Sequence, residues 1–196
     1  MDDIVVKNGR IWINGGRELL LKTLPKYSIG LEIGVHKGEF SQKILKLIKP
    51  KKLHLVDPWY YYQEQTYEHS LYGGKVGKNQ QEMDTRYRLV TQRFADEIKS
   101  GQVEVHRDFS NNICQDFGDS YFDWIYIDGN HLYEYVKQDL ELYYDKVKTG
   151  GFITGDDYFK GGWWNGGVIK AVNEFVISHN VDVVFIQTGQ YMLQKL

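Results

Sequence analysis

Hydrophobic residues recur along the chain in two rhythms. Short apolar runs at residues 28–33, 52–56, 102–106, 122–127 and 152–154 predict strands. Between them the spacing lengthens to three and four residues. Phe40, Ile44, Leu47 and Ile48 predict a helix that Pro50 stops, and Val168, Val172, Phe175 and Val176 predict another. Leu132, Val136, Leu140, Tyr143 and Val147 share one helical face, with Gly150-Gly151 placed to close that helix. The last two apolar runs, 181–186 and 191–193, are joined only by Gln187-Thr188-Gly189-Gln190. So short a link cannot hold a crossover helix, so this pair must be antiparallel. Near the start, 4–6 and 11–13 flank Asn8-Gly9 and predict a hairpin. A short helix carrying Leu19, Leu20, Leu21 and Leu24 follows, ending before Pro25.

Strands alternating with amphipathic helices predict an α/β fold: a Rossmann-like, doubly wound, mostly parallel sheet that ends in an antiparallel hairpin. The 196 residues suit a single domain. Within it, 1–27 is expected as a hairpin and helix, and about 59–91, where the rhythm breaks, as an inserted cap made of a tyrosine-rich loop and a helix. Composition narrows the classes further. A lone Cys114 excludes a disulfide framework and a cysteine-based zinc site. A net charge of -2 supplies no field to collect nucleic acid or an anionic membrane, so neither is expected as a partner. No apolar run reaches the roughly 20 residues of a membrane span, and Met1-Asp2-Asp3 does not open a signal peptide. The expectation is a cytoplasmic protein.

In an open α/β sheet, ligands bind beyond the carboxyl ends of the strands. Four of the predicted strands end on Glu32-Ile33-Gly34, Asp57-Pro58, Asp128-Gly129 and Asp156-Asp157. Each carboxylate alone reads as a turn former or cap; their gathering on one edge points to a site. The first turn, Glu32 to Gly38, has the form E-x-G-x-x-x-G. Gly34 lets the backbone turn sharply beside a ligand, and Gly38 lets the next helix start close to the strand. Asp57, ending the second strand, can accept both hydroxyls of a ribose. A glycine turn with a ribose carboxylate serves NAD and S-adenosyl-L-methionine (SAM) alike. The G-x-G-x-x-G fingerprint of a pyrophosphate site is absent, and the antiparallel ending departs from the dinucleotide fold.

Leu31-Glu32-Ile33-Gly34-Val35 with Gly38, Asp57 and the C-terminal hairpin resembles the class I SAM-dependent methyltransferases. Ile127-Asp128-Gly129-Asn130-His131-Leu132-Tyr133-Glu134, Asp139-Leu140, Gly150-Gly151 and Gly155-Asp156-Asp157-Tyr158 resemble the metal-dependent O-methyltransferases of the macrocin type. The resemblance spans about 28–196. It implies transfer of a methyl group from SAM to a hydroxyl of a sugar or related polar small molecule. It also implies Asp128, Asp156 and Asp157 as ligands of Mg²⁺ or another divalent cation. Carboxylates with water and substrate oxygens suit such an ion, which lowers the pKa of an acceptor hydroxyl; the same aspartates also read as a cap and a turn. By the resemblance, the place of a catalytic lysine in catechol-type relatives falls at His131. Histidine titrates near neutral pH and can accept the proton; a first-turn histidine bonded to backbone is the equal alternative. In some macrocin-type relatives an aspartate two residues after the first metal ligand is the suspected base; in this chain that place is Asn130. Asp108 and Phe109 fall where the family contacts adenine, although Asp108 or Ser110 also suits a helix cap. Ser41 is a candidate for the methionine carboxylate, or a solvent-facing serine.

The chain is also rich in aromatics, 15% of it, and they cluster. Trp59 to Tyr62, Tyr67 and Tyr72 precede Gly73-Gly74, and Trp163-Trp164 lie between glycine pairs. Such faces stack on sugar rings and such glycines let segments close as lids; core packing is the alternative for about half of them. His36, His54, His69, His106 and His179 show no metal-ligand spacing. Two rival functions stand beside the first: a metal-independent methyltransferase acting on nitrogen or carboxyl, and a non-catalytic SAM- or nucleotide-binding module.

Overall fold

The repeating strand and helix segments build one mixed seven-stranded sheet, and the computed structural model describes residues 4–7, 10–13 and 16–196. A separate antiparallel pair, β1 (Ile4–Lys7) and β2 (Arg10–Ile13), comes first. The expected Asn8-Gly9 turn lies outside the described residues. There follow α1 (Gly16–Thr23), β3 (Ile29–Ile33), α2 (Glu39–Leu47) and β4 (Lys52–Val56). After an irregular stretch come α3 (Gly74–Gly77), α4 (Gln80–Arg93), α5 (Ala95–Lys99), β5 (Val103–His106) and α6 (Ser110–Ile113). The chain continues through β6 (Phe122–Ile127), α7 (Tyr133–Tyr144), β7 (Val147–Gly155), α8 (Gly167–Ser178), β8 (Val181–Gln187) and β9 (Gln190–Lys195).

The strand order is β5-β4-β3-β6-β7-β9-β8. Strands β3 to β7 pair in parallel, and β9 runs antiparallel to both of its neighbours. The hairpin predicted from its short link is therefore present, with its second strand inserted between β7 and β8. Successive side chains of a strand alternate between faces, and β6 shows the result. Ile125 and Ile127 join Val136 and Leu140 of α7 and Val172 of α8 on one face. Trp124 and Tyr126 join Leu20 of α1, Ile44 of α2 and Met83 of α4 on the other. Both layers are thus dry, and α4 is the crossover helix between β4 and β5. Asn79 caps α4 by accepting from the Glu82 N–H at 3.0 Å.

One segment departs from the periodicity. Helix α7 ends at Tyr144, and Val147 belongs to β7. Val147 pairs with Phe122, yet the next pair is Phe152 with Trp124, so β7 carries a bulge between them. Gly150 lies in that bulge at φ 77°, and a Cβ on Gly151 would press on the Asp123 and Lys148 carbonyls. The glycine pair shapes a bulge rather than closing a helix. A residue four places after Tyr143 fits a helical face and a buried strand equally well, and the ladder to β6 decides between them. Among the described residues no helix is long and apolar enough to cross a membrane.

Candidate active site

Because β3 to β7 are parallel, their carboxyl ends share one edge, and the loops there enclose a cavity of about 730 Å³. Gly34 follows β3 at φ 90°, and a Cβ there would overlap the Asp128 carbonyl. Only glycine lets the turns after β3 and β6 lie so close. Asp57, following β4, is buried and accepts four hydrogen bonds. Val35 N–H and His36 N–H donate to Oδ2 at 2.9 Å each, Trp59 N–H donates to Oδ1 at 2.7 Å, and the Tyr72 hydroxyl donates to Oδ2. Burial lifts its pKa, and these donors oppose the rise.

The other end of the cavity is short of donors and crowded with acids. Oxygen or nitrogen atoms of Asp128, His131 and Asp157 all lie within 4.8 Å of one another. His131 Nε2 is 3.2 Å from Asp157 Oδ2, and Arg17 Nη2, reaching in from α1, is 3.1 Å from Asp128 Oδ2. Burial raises the Asp128 pKa to about 7 although Arg17 pulls it down. Burial also lowers the His131 pKa, with Asp157 opposing and Arg17 adding to the fall. Asp157 holds φ 60°, a left-handed conformation that aspartate tolerates better than most residues. Beneath this cluster Glu32 is buried, and its carboxylate accepts from the Ser41 hydroxyl. Burial outweighs that bond and pushes the Glu32 pKa to about 8.

Eight of the twelve residues expected at the site line the cavity: Glu32, Ile33, Gly34, Asp57, Phe109, Asp128, His131 and Asp157. The other four stand back from it, each for a physical reason. Gly38 starts α2 at φ 73° against Phe94. Ser41 is fully buried behind Glu32. Asp108 turns onto its own loop, accepting from Phe109 N–H at 2.7 Å and Asn112 Nδ2 at 2.8 Å. Asp156 is taken by Arg17 on one oxygen and Gln190 on the other, which ties α1 and β9 to the end of β7.

A family model described as a methyltransferase domain matches residues 31–158, well over half of the chain. The chain belongs to this methyltransferase family. Solved structures with its fold include a Clostridium thermocellum protein whose name proposes rRNA methylation (TM-score 0.65, 15% identity, 98% of each chain covered). The SAM complex of the O-methyltransferase TomG from Streptomyces achromogenes also matches (TM-score 0.58, 16% identity, 91% of this chain and 77% of that one). At such identity the likeness shows the class I SAM-dependent methyltransferase fold alone. An uncharacterized protein of Acanthamoeba polyphaga mimivirus is 41% identical over 73 residues, 37% of this chain and 29% of that protein's length.

Two further residues that line the cavity, Arg17 and Asp139, have no role assigned to them by the sequence. Arg17 carries no local signal, because only the docking of α1 brings it to the cluster. Asp139 on α7 lines the cavity, fully enclosed, with Ser110 donating to it and burial raising its pKa to about 7. Asp139-Leu140 is part of the family resemblance, but its place among core-facing helical positions gives it no role in the sequence. The aromatics divide. Trp59 is core, its Nε1 donating to the His36 carbonyl at 2.8 Å. Tyr62, Tyr67, Trp163 and Trp164 line the cavity as a connected series. Tyr62 stacks on Tyr67 at 4.2 Å, Tyr67 meets Trp163 at 5.3 Å, and Trp164 lies 5.0 Å from His131. Trp164 Nε1 is buried with no partner among the described residues.

Proposed function

We propose that the methyltransferase moves the methyl group of SAM to a hydroxyl of a small, sugar-like acceptor, with a divalent cation, Mg²⁺ first, at the acidic end. The observation that carries this reading is one cavity with two chemically different ends, Asp57 at one and Asp128, His131 and Asp157 at the other. Its size suits a cofactor with a small acceptor beside it. The residues present fit the cofactor: Asp57 already accepts a hydroxyl, that of Tyr72, as it would accept a ribose hydroxyl. They fit an acceptor too, since Trp164 lines the cavity and its buried Nε1 is a donor with no partner among the described residues. The acidic end fits a cation through the carboxylates of Asp128 and Asp157, with His131 beside them left free to take a proton.

When bound, SAM supplies an electrophilic methyl carbon, and a divalent cation makes an acceptor hydroxyl more acidic. The chain does the rest. Asp57 and Phe109 hold and orient the adenosine half, and Tyr72 yields its place on Asp57. The series Tyr62, Tyr67, Trp163 and Trp164 offers ring faces to a sugar and excludes water. Asp128 and Asp157 hold the cation. Neutral His131 accepts the hydroxyl proton at Nε2, and Asp157 stabilises the imidazolium that forms. In this reading 1–196 acts as one methyltransferase unit; within the segment 59–91 the tyrosine-rich loop is the cap and α4 the crossover helix, and 1–27 contributes Arg17.

Arg17 favours a second reading. Its guanidinium already stands at Asp128 and Asp156, so it is able to supply the positive charge without an ion. A thermal-shift matrix of SAM, its demethylated product and NAD, each with Mg²⁺ or chelator, tests the set, because a ligand that binds only the native state raises the melting temperature. Stabilisation by SAM, with methyl transfer to a polyol lost in chelator and restored by Mg²⁺, supports the first reading. Undiminished transfer in chelator supports the second. Preferential stabilisation by NAD overturns both.

A further inference from the structure

We propose that His54, Glu104 and His106 form a separate transition-metal site at the edge of the sheet, one that takes Zn²⁺ or a similar ion rather than Mg²⁺. Glu104 and His106 stand two residues apart on β5, so both side chains leave the same face of the strand. His54 on β4 is the ladder partner of Glu104 and projects onto that face as well. His54 Nδ1 and His106 Nε2 are 3.0 Å apart, and the Glu104 carboxylate oxygens lie 3.9 Å from each. Two nitrogens on one tetrahedral zinc, each at about 2.0–2.1 Å, stand roughly 3.3–3.4 Å apart. The two nitrogens are thus a few tenths of an ångström closer than in a ligand triangle and the carboxylate oxygens about half an ångström farther, so small side-chain rotations bring the three donors into one, with a fourth position for water.

The surroundings favour the same ion. Tyr121 OH lies 3.1 Å from His54 Nε2 and can hold that nitrogen's proton, leaving Nδ1 as a lone pair. Metal-bound histidines nearly always have their second nitrogen held in this way. The proton now shared between the rings then sits on His106 Nε2, and it passes to Nδ1 of that ring when an ion binds. Burial keeps both imidazoles uncharged near neutral pH, with His54 pushed down to about 4. Phe117 and Phe122 flank His54 edge-on and keep that side dry. Lys52 holds Glu104 at 2.7 Å, so an incoming ion must share or displace it. Two imidazoles, one carboxylate and a nearby ammonium make a poor cage for Mg²⁺, which prefers oxygen, and a good one for zinc-like ions. The Asp57 N–H donates to the His106 carbonyl at 3.2 Å, so an ion here would pin the edge strand beside the cavity.

The test is titration of the metal-free protein with Co²⁺, and then Zn²⁺, in excess Mg²⁺, following the visible absorption of tetrahedral cobalt and the melting temperature. The wild type is expected to bind one equivalent. His106→Ala and Glu104→Gln are expected to weaken it about tenfold or more, and Asp157→Asn to leave it within about twofold. Because His54 is buried, His54→Ala risks misfolding; the two β5 variants avoid this, and circular dichroism of their metal-free forms checks it. Wild-type affinity in His106→Ala, loss of binding only in Asp157→Asn, or no tetrahedral cobalt spectrum would each overturn the site. None of these results bears on the methyl-transfer reading, which chelation in Mg²⁺ buffers tests separately.

Discussion

Asp57 and Asp128 occupy equivalent places, each the first residue after a parallel strand, yet the chain treats them in opposite ways. Asp57 is wired by three backbone N–H groups and a tyrosine hydroxyl. Asp128 has Arg17 as its only side-chain ion-pair partner among the described residues, and Asp157 stands close enough to push its pKa up further. The first arrangement stabilises a carboxylate that receives neutral hydroxyls. The second leaves negative charge poorly compensated, and such a group calls for a cation or a proton. One sequence signal, an acid at a strand end, thus yields two chemistries, and the donors supplied by neighbouring loops decide which.

The contrast can be broken most sharply at the acidic end. His131→Ala is expected to cost about 10²–10⁴ in kcat with SAM affinity nearly unchanged. Steady-state kinetics beside calorimetry decides this, and near-normal turnover at neutral pH would remove the base. At the other end the loss should appear in binding. Asp57→Ala is expected to weaken SAM by about 1–3 kcal/mol, the worth of charge-assisted bonds to ribose hydroxyls. Unchanged affinity by calorimetry would take Asp57 out of the cofactor site.

Between the two ends, Glu32 ties protonation to stability. A carboxyl whose pKa is higher folded than unfolded contributes fully below about 4.5, and that contribution is lost as pH rises through the folded value, here about 8. His36 and His54, pushed down to about 4, act in the opposite sense, but only below about 6.5. From pH 6.5 to 8 stability should therefore fall. Glu32→Gln is expected to remove about 1–2 kcal/mol of that fall, read from urea unfolding at the two pH values. An unaltered slope would mean that Glu32 ionises normally in the folded protein. The smallest effect is expected at Arg17. Arg17→Met should tighten divalent-cation binding about two- to fivefold, the ~0.5–1 kcal/mol of a partly exposed ion pair. Weaker binding in that variant would make Arg17 a support of the cation site rather than its competitor.

What the sequence disclosed divides along the same line. Gly34, Asp57, Asp128 and Asp157 were legible because strand ends in a parallel sheet must share an edge. Arg17 was not, since its place depends on how α1 docks against distant strands. Asp156 and Asp157 are adjacent acids with no local feature to separate them. Their roles part only because Asp157 turns to positive φ while Gln190, brought in by β9, claims Asp156. Val147 was misassigned because a four-residue apolar interval serves both a helix and a bulged strand. His54 and His106 are far apart in sequence and meet only through the β4–β5 register.

The insertion of β9 between β7 and β8 has a consequence for biosynthesis. Strands β3 to β7 are complete once residue 155 has left the ribosome, but β7 then presents an open, unpaired edge. A nascent chain must keep that edge from other partners while about 35 further residues are made, a span of seconds at ordinary translation rates. Only when residues 190–195 arrive does Tyr158 N–H find the Gly189 carbonyl, and Asp156 find Gln190. The tie that holds the end of β7 behind the acidic end of the cavity is therefore made only when β9 arrives.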